Sequence, residues 1–65
     1  MVIIKSDINK MLLGLLSRQD LVDLWWSGTN KAFDGKTPND VYMSGEDGRK
    51  AVYNYVASFC GGDYS

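Results

Sequence analysis

Apolar residues recur with a helical period in two well-separated stretches of the chain. Ile8, Met11, Leu12, Leu15 and Leu16 fall at i, i+3, i+4, i+7 and i+8, and Ala51, Val52, Tyr55, Val56 and Phe59 at i, i+1, i+4, i+5 and i+8. Each set lines one face of a helix, and because the stripes match in length the first and last helices are expected to pack across the core. Ser6 or Asp7 is placed to cap the first helix, and Gly14, which costs it about 1 kcal/mol against Ala, is expected where another helix comes close. Ser17-Arg18-Gln19-Asp20 reads as a second capping sequence, with Ser17 as the cap and Asp20 in the first turn. The helix it opens runs from about Arg18 to Trp26, with Leu21, Leu24 and Trp25 inward, Val22 at the flank and Gly28 as the stop. Trp25 and Trp26 are about 100° apart on a helix, so both cannot centre on one face. Trp26 either covers the edge of a thin core or serves as an aromatic anchor for a partner.

The stretch from Trp25 to Pro38 reads as a structured corner between helices. It holds both tryptophans, the only proline and two glycines. Asn30 and Gly35 are suited to left-handed backbone, and Phe33 is expected to pin the connector to the core. Thr37-Pro38 opens a short third helix: a Thr side chain accepts from first-turn amides, and Pro at the first helical position gives up an N–H with no partner. Asp40 suits the positive end of that helix. The helix extends to about Met43 and carries Val41 and Tyr42. Ser44 to Gly48 breaks it and starts the fourth, with Glu46 and Asp47 at the favourable end. Gly61-Gly62 is expected to end the fourth helix. The reading is therefore all-α, a single small domain forming a compact bundle of about four short helices, with an arm over 1–6, a core over 7–60 and a tail over 61–65. The arm begins Val2-Ile3-Ile4 and is expected to tuck onto the core or to pair with a second copy or partner.

Trp25, Asn30, Ala32, Phe33, Gly35, Lys36, Thr37 and Pro38, continued by Val41, Tyr42, Gly48 and Val52, resemble the toxin-binding domain of the Xre/MbcA/ParS antitoxins. In that family a tryptophan ends one helix, an Asn and a small residue lead to an apolar residue, and Gly-(Arg/Lys)-Thr-Pro opens the next helix. The resemblance spans Leu12 to Gly62, with about one inserted residue before Gly48. It implies a non-catalytic module that dimerises and docks on a toxin, often an NAD-degrading enzyme, covering its active site. Family members usually carry an N-terminal helix-turn-helix, whereas here residues 1–11 alone precede the matched stretch; autorepression is therefore not expected, and a phage or mobile element could have turned the domain to another partner.

Composition narrows the functions further. The chain has 65 residues, too few for a large core, so association with a second copy or a partner is a common remedy. At 45% hydrophobic and 23% charged it is ordinary globular protein, and a net charge of −1 leaves any DNA contact to a local patch. No apolar run approaches the ~20 residues of a membrane span. With a single cysteine and no basic-apolar leader, a reducing cytoplasm is expected, that of a bacterial cell or a phage-infected host.

Histidine is absent, which removes the commonest general base and metal ligand. Cys60 alone makes neither a zinc site nor a nucleophile pair and is expected to be a buried thiol. Asp20 with Asp23, and Glu46 with Asp47, read as caps and solvated charges rather than an acid–base pair. No catalytic residue, metal or cofactor is expected. The residues expected to meet a partner are Trp26, Lys31, Phe33, Lys36, Arg49 and Lys50, with Tyr64 of the tail. The four cations among them could face an acidic protein surface or phosphates, or simply rim the core. The protein partner would be a toxin, a recombinase or a host enzyme. The alternative is a small phage or mobile-element accessory factor, a recombination-directionality or regulatory protein acting on DNA or a recombinase; salt-dependent DNA binding by the cations discriminates the two.

Overall fold

The computed structural model describes residues 4–60. Four α-helices follow in order: α1 (Lys5–Leu16), α2 (Gln19–Ser27), α3 (Pro38–Met43) and α4 (Glu46–Phe59), with a 3-10 turn over Lys31–Phe33 between α2 and α3. The chain is all-α and compact, with α4 packed on α3 and α1, and α2 on α1 and α3. The arm before Ile4 and the tail after Cys60, including Tyr64 and the Gly61-Gly62 stop, lie outside the described residues.

Both apolar stripes supply the core through their central positions. Ile8 and Leu12 of α1 and Val52 and Val56 of α4 are buried, joined by Val22, Trp26 and Phe33. Each such side chain contributes about 1.5–3 kcal/mol by leaving water. The ends of the stripes stay outside: Leu15, Ala51 and Phe59 are exposed.

Helix α1 starts earlier than its polar residues suggest. Neither Ser6 nor Asp7 caps it; Ile4 holds the N-cap position without a side-chain bond. Tertiary contacts draw Lys5 into the first turn, where its ammonium donates to Asn39 Oδ1 at 3.0 Å and stands 4.5 Å from the centre of the Trp26 ring. Gly14 faces open space rather than another helix.

Ser17 ends α1 instead of opening α2. It takes the left-handed conformation at φ 65°, and its N–H donates to the Leu13 carbonyl. That reversal leaves Arg18 at the N-cap of α2 with no side-chain cap. The Arg18 guanidinium instead clasps the exposed Asp20 carboxylate, through Nε at 3.0 Å and Nη2 at 2.6 Å.

The face that α2 turns inward is centred on Val22 and Trp26, about one residue round the helix from the expected Leu21–Leu24–Trp25 face. The indole N–H decides it. Trp26 Nε1 donates to Asn9 Oδ1 at 2.6 Å, and its ring meets Tyr42 edge-on at 5.8 Å. A buried indole needs such a partner. Trp25 is left half-buried and Leu24 64% exposed.

Candidate protein-binding surface

The corner after α2 is closed by its own backbone. Asn30 and Lys36 form an isolated antiparallel bridge, and the Asn30 carbonyl accepts from the N–H groups of both Phe33 and Gly35. Asn30 itself is extended at φ −136°, not left-handed; its side chain accepts from the Ala32 N–H and caps the 3-10 turn. The left-handed positions are Asp34 at φ 58° and Gly35 at φ 80°. Thr37 then caps α3 as expected, its Oγ1 accepting from the Asp40 N–H at 3.1 Å, with Pro38 buried at the start of the helix.

This closure places the candidate contact residues on opposite sides of the surface. Phe33 is inserted into the core with its ring 5.2 Å from that of Tyr55. Phe33 and Trp26 are thus corrected from contact residues to anchors, because a ring that is 9% or 6% exposed offers a partner almost nothing to touch. Lys31 and Lys36 are exposed on the corner, and among the described residues neither forms an ion pair. Arg49 is exposed with its guanidinium 5.7 Å from the Tyr42 ring, while Lys50 pairs with Glu46 at 3.7 Å along one face of α4. Met43, at the end of α3, is 72% exposed.

Gly48 is buried where the first turn of α4 crosses the end of α3. A β-carbon there would collide with the Val41 carbonyl and the Ser44 hydroxyl, so only glycine allows that approach. It fixes α3 against the first turn of α4, which carries Arg49 and Lys50.

An open polar cleft of about 630 Å³ lies beside the corner, lined by Lys5, Asn9, Asp23, Trp26, Ser27, Thr37, Asn39 and Asp40. Two bonds join its walls, Lys5 Nζ to Asn39 Oδ1 between α1 and α3 and Trp26 Nε1 to Asn9 Oδ1 between α2 and α1. On another side, Leu12, Leu15, Leu16, Trp25, Tyr55, Val56 and Phe59 line an apolar groove of about 320 Å³. Leu16 and Trp25 are shared with an adjoining hollow of about 350 Å³ that reaches Leu21, Leu24 and the start of the corner. Sequence reasoning had placed all of these apolar side chains in the core. The signal for the groove was there: two full stripes plus Leu21, Leu24 and Trp25 are more apolar faces than a chain of this length can close over.

Cys60 is exposed rather than buried, with Sγ 3.9 Å from the Met11 carbonyl, because the last turn of α4 runs past the end of the core. Among the described residues, no group of three or more Cys, Asp or Glu side chains is arranged to hold a metal ion. Asp20 is held by Arg18, Asp23 accepts from Gln19, and Glu46 and Asp47 occupy the first turn of α4. No helix among the described residues is long and apolar enough to cross a membrane. Comparison of the chain with protein-family models, curated proteins and solved structures finds no match.

Proposed function

We propose that this chain is a non-catalytic protein-binding module that works as the toxin-binding domain of the Xre/MbcA/ParS antitoxins does, by docking on a partner protein and covering its working surface. The observation that carries the reading is the pre-formed corner. Backbone bonds and the Phe33 anchor hold it in one shape while Lys31 and Lys36 stay exposed and unpaired among the described residues. Ordering such a surface costs little on binding, since its backbone is already fixed. The matching partner surface is acidic, opposite in charge to the two exposed lysines. Electrostatic complementarity of this kind sets register and speeds encounter.

The test uses the wild-type protein and the Lys31→Glu/Lys36→Glu variant as baits in bacterial lysate. The captured partner is identified, purified and titrated against both. The expected result is a binary complex whose affinity drops at least ~10-fold in the double variant, an amount of about 1.4 kcal/mol, with the melting temperature unchanged. Equal affinity for both baits would remove the corner from the interface. Duplex DNA at low salt is the control titrant: saturable binding that the double variant abolishes would move the function to the accessory-factor class.

A further inference from the structure

The polar cleft beside the corner is a second site, built from different residues. We infer that it binds a small zwitterion of the free α-amino-acid class, the ligand's carboxylate meeting the Lys5 ammonium and its ammonium meeting the carboxylates of Asp23 and Asp40. The cleft, about 630 Å³, falls within the size range of small-molecule sites. Three helices supply these charges: α1 carries Lys5, α2 carries Asp23 and α3 carries Asp40.

Each charge in the cleft has bonding capacity to spare. Lys5 is half-buried, with its ammonium 3.0 Å from Asn39 Oδ1 and 4.5 Å from the centre of the Trp26 ring. An ammonium has three donors, and the Asn39 bond uses one. Asp23 accepts from Gln19 through Oδ1 alone, and among the described residues no side chain donates to the Asp40 carboxylate. Among those residues, too, none of the three charges forms an ion pair. Lys5 is held by the indole and Asn39 instead of closing onto an aspartate, and that keeps both signs available in one hollow.

This balance selects the ligand. A phosphate that reached Lys5 would also face two carboxylates, and a bare cation at the carboxylates would face Lys5. Metal binding finds no support either, since no group of three or more acidic or Cys side chains is gathered among the described residues. A molecule carrying both signs gives each group its opposite through charge-assisted hydrogen bonds. Asn9 and Asn39 accept from Trp26 and Lys5 through Oδ1, which leaves their amide nitrogens as further donors for a carboxylate. Ser27 and Thr37 add hydroxyls to the lining, so a small polar side chain suits the site best.

Titration of the isotope-labelled full chain with L-serine, followed by amide chemical shifts, tests the inference. N-acetyl-L-serine lacks the cation, L-serine amide lacks the anion, and glucose is the neutral polar control. L-serine is expected to saturate the protein with a dissociation constant of about 1 mM or below, and each blocked form to bind at least ~10-fold more weakly. The shifts should concentrate at Lys5, Asn39 and Asp40 rather than at Lys31 and Lys36. Asp40→Asn, an isosteric change at an exposed position, should weaken L-serine at least ~10-fold with circular dichroism unchanged. Lys5→Met keeps an apolar stem beside the indole and should have the same effect; if it loses helix, Asp23→Asn, also exposed, serves as the second variant. No saturable shift up to ~20 mM L-serine overturns the inference, as does equal binding of a blocked form or of glucose, or indifference to Asp40→Asn. Protein that ignores L-serine yet holds a partner through Lys31 and Lys36 defeats this inference alone. Binding of L-serine without a corner-dependent partner leaves it standing and defeats the proposed function.

Discussion

Gly48 and Thr37 show how much a single position decides in this chain. Gly48→Ala would drive a methyl into the Val41 carbonyl, a backbone atom that cannot swing away as a side chain would. The expected loss is about 2–3 kcal/mol, read from urea midpoints. Thr37→Ala removes the acceptor of the Asp40 N–H and should cost about 1 kcal/mol; an unchanged melting curve would show that the cap contributes nothing. Trp26→Ala opens a cavity and strands Asn9, with an expected cost of about 3–5 kcal/mol, comparable to the whole stability of so small a domain. Its helical circular dichroism should collapse at 25 °C; a retained signal would return Trp26 to the surface. The cap was legible in the sequence because all its partners lie within four residues. The choice between Trp25 and Trp26 was not, since it turns on Asn9, which lies on a different helix.

At the level of elements, the helices themselves were readable and their rotations were not. Periodicity and caps placed α3 at its observed bounds and α2 within a residue or so, and the acidic start of α4 was recognised from its charges. Orientation depends instead on which polar atom of a buried ring finds a partner, and α2 turned so that Val22 and Trp26 rather than Leu21 and Leu24 met the core. Ser17 misled for a related reason. The same residue type caps a helix start and tolerates the left-handed stop that a two-residue connector demands, and only the path of the chain chooses between them. Gly14 gives an element-scale prediction of opposite sign to those above. Since a β-carbon there meets nothing within 4 Å, Gly14→Ala should stabilise α1 by about 0.5–1 kcal/mol, measured as a higher urea midpoint. A loss of stability would mean that some surface closes over that side of α1.

The whole molecule divides into a corner that presents cations and a groove that presents apolar side chains. Of the expected contact residues, the exposed ones, Lys31, Lys36, Arg49 and Lys50, were identifiable from charge; the groove was hidden because its residues look like core when read along single helices. The paired indoles give this domain a ready optical record of its unfolding. Trp25 borders the groove and Trp26 lies against Asn9 and Lys5 with the two rings 5.2 Å apart and nearly perpendicular. Emission from Trp26, isolated in a Trp25→Phe background, should hold at short wavelength until the helices come apart, because its ring is buried and its N–H is held by Asn9.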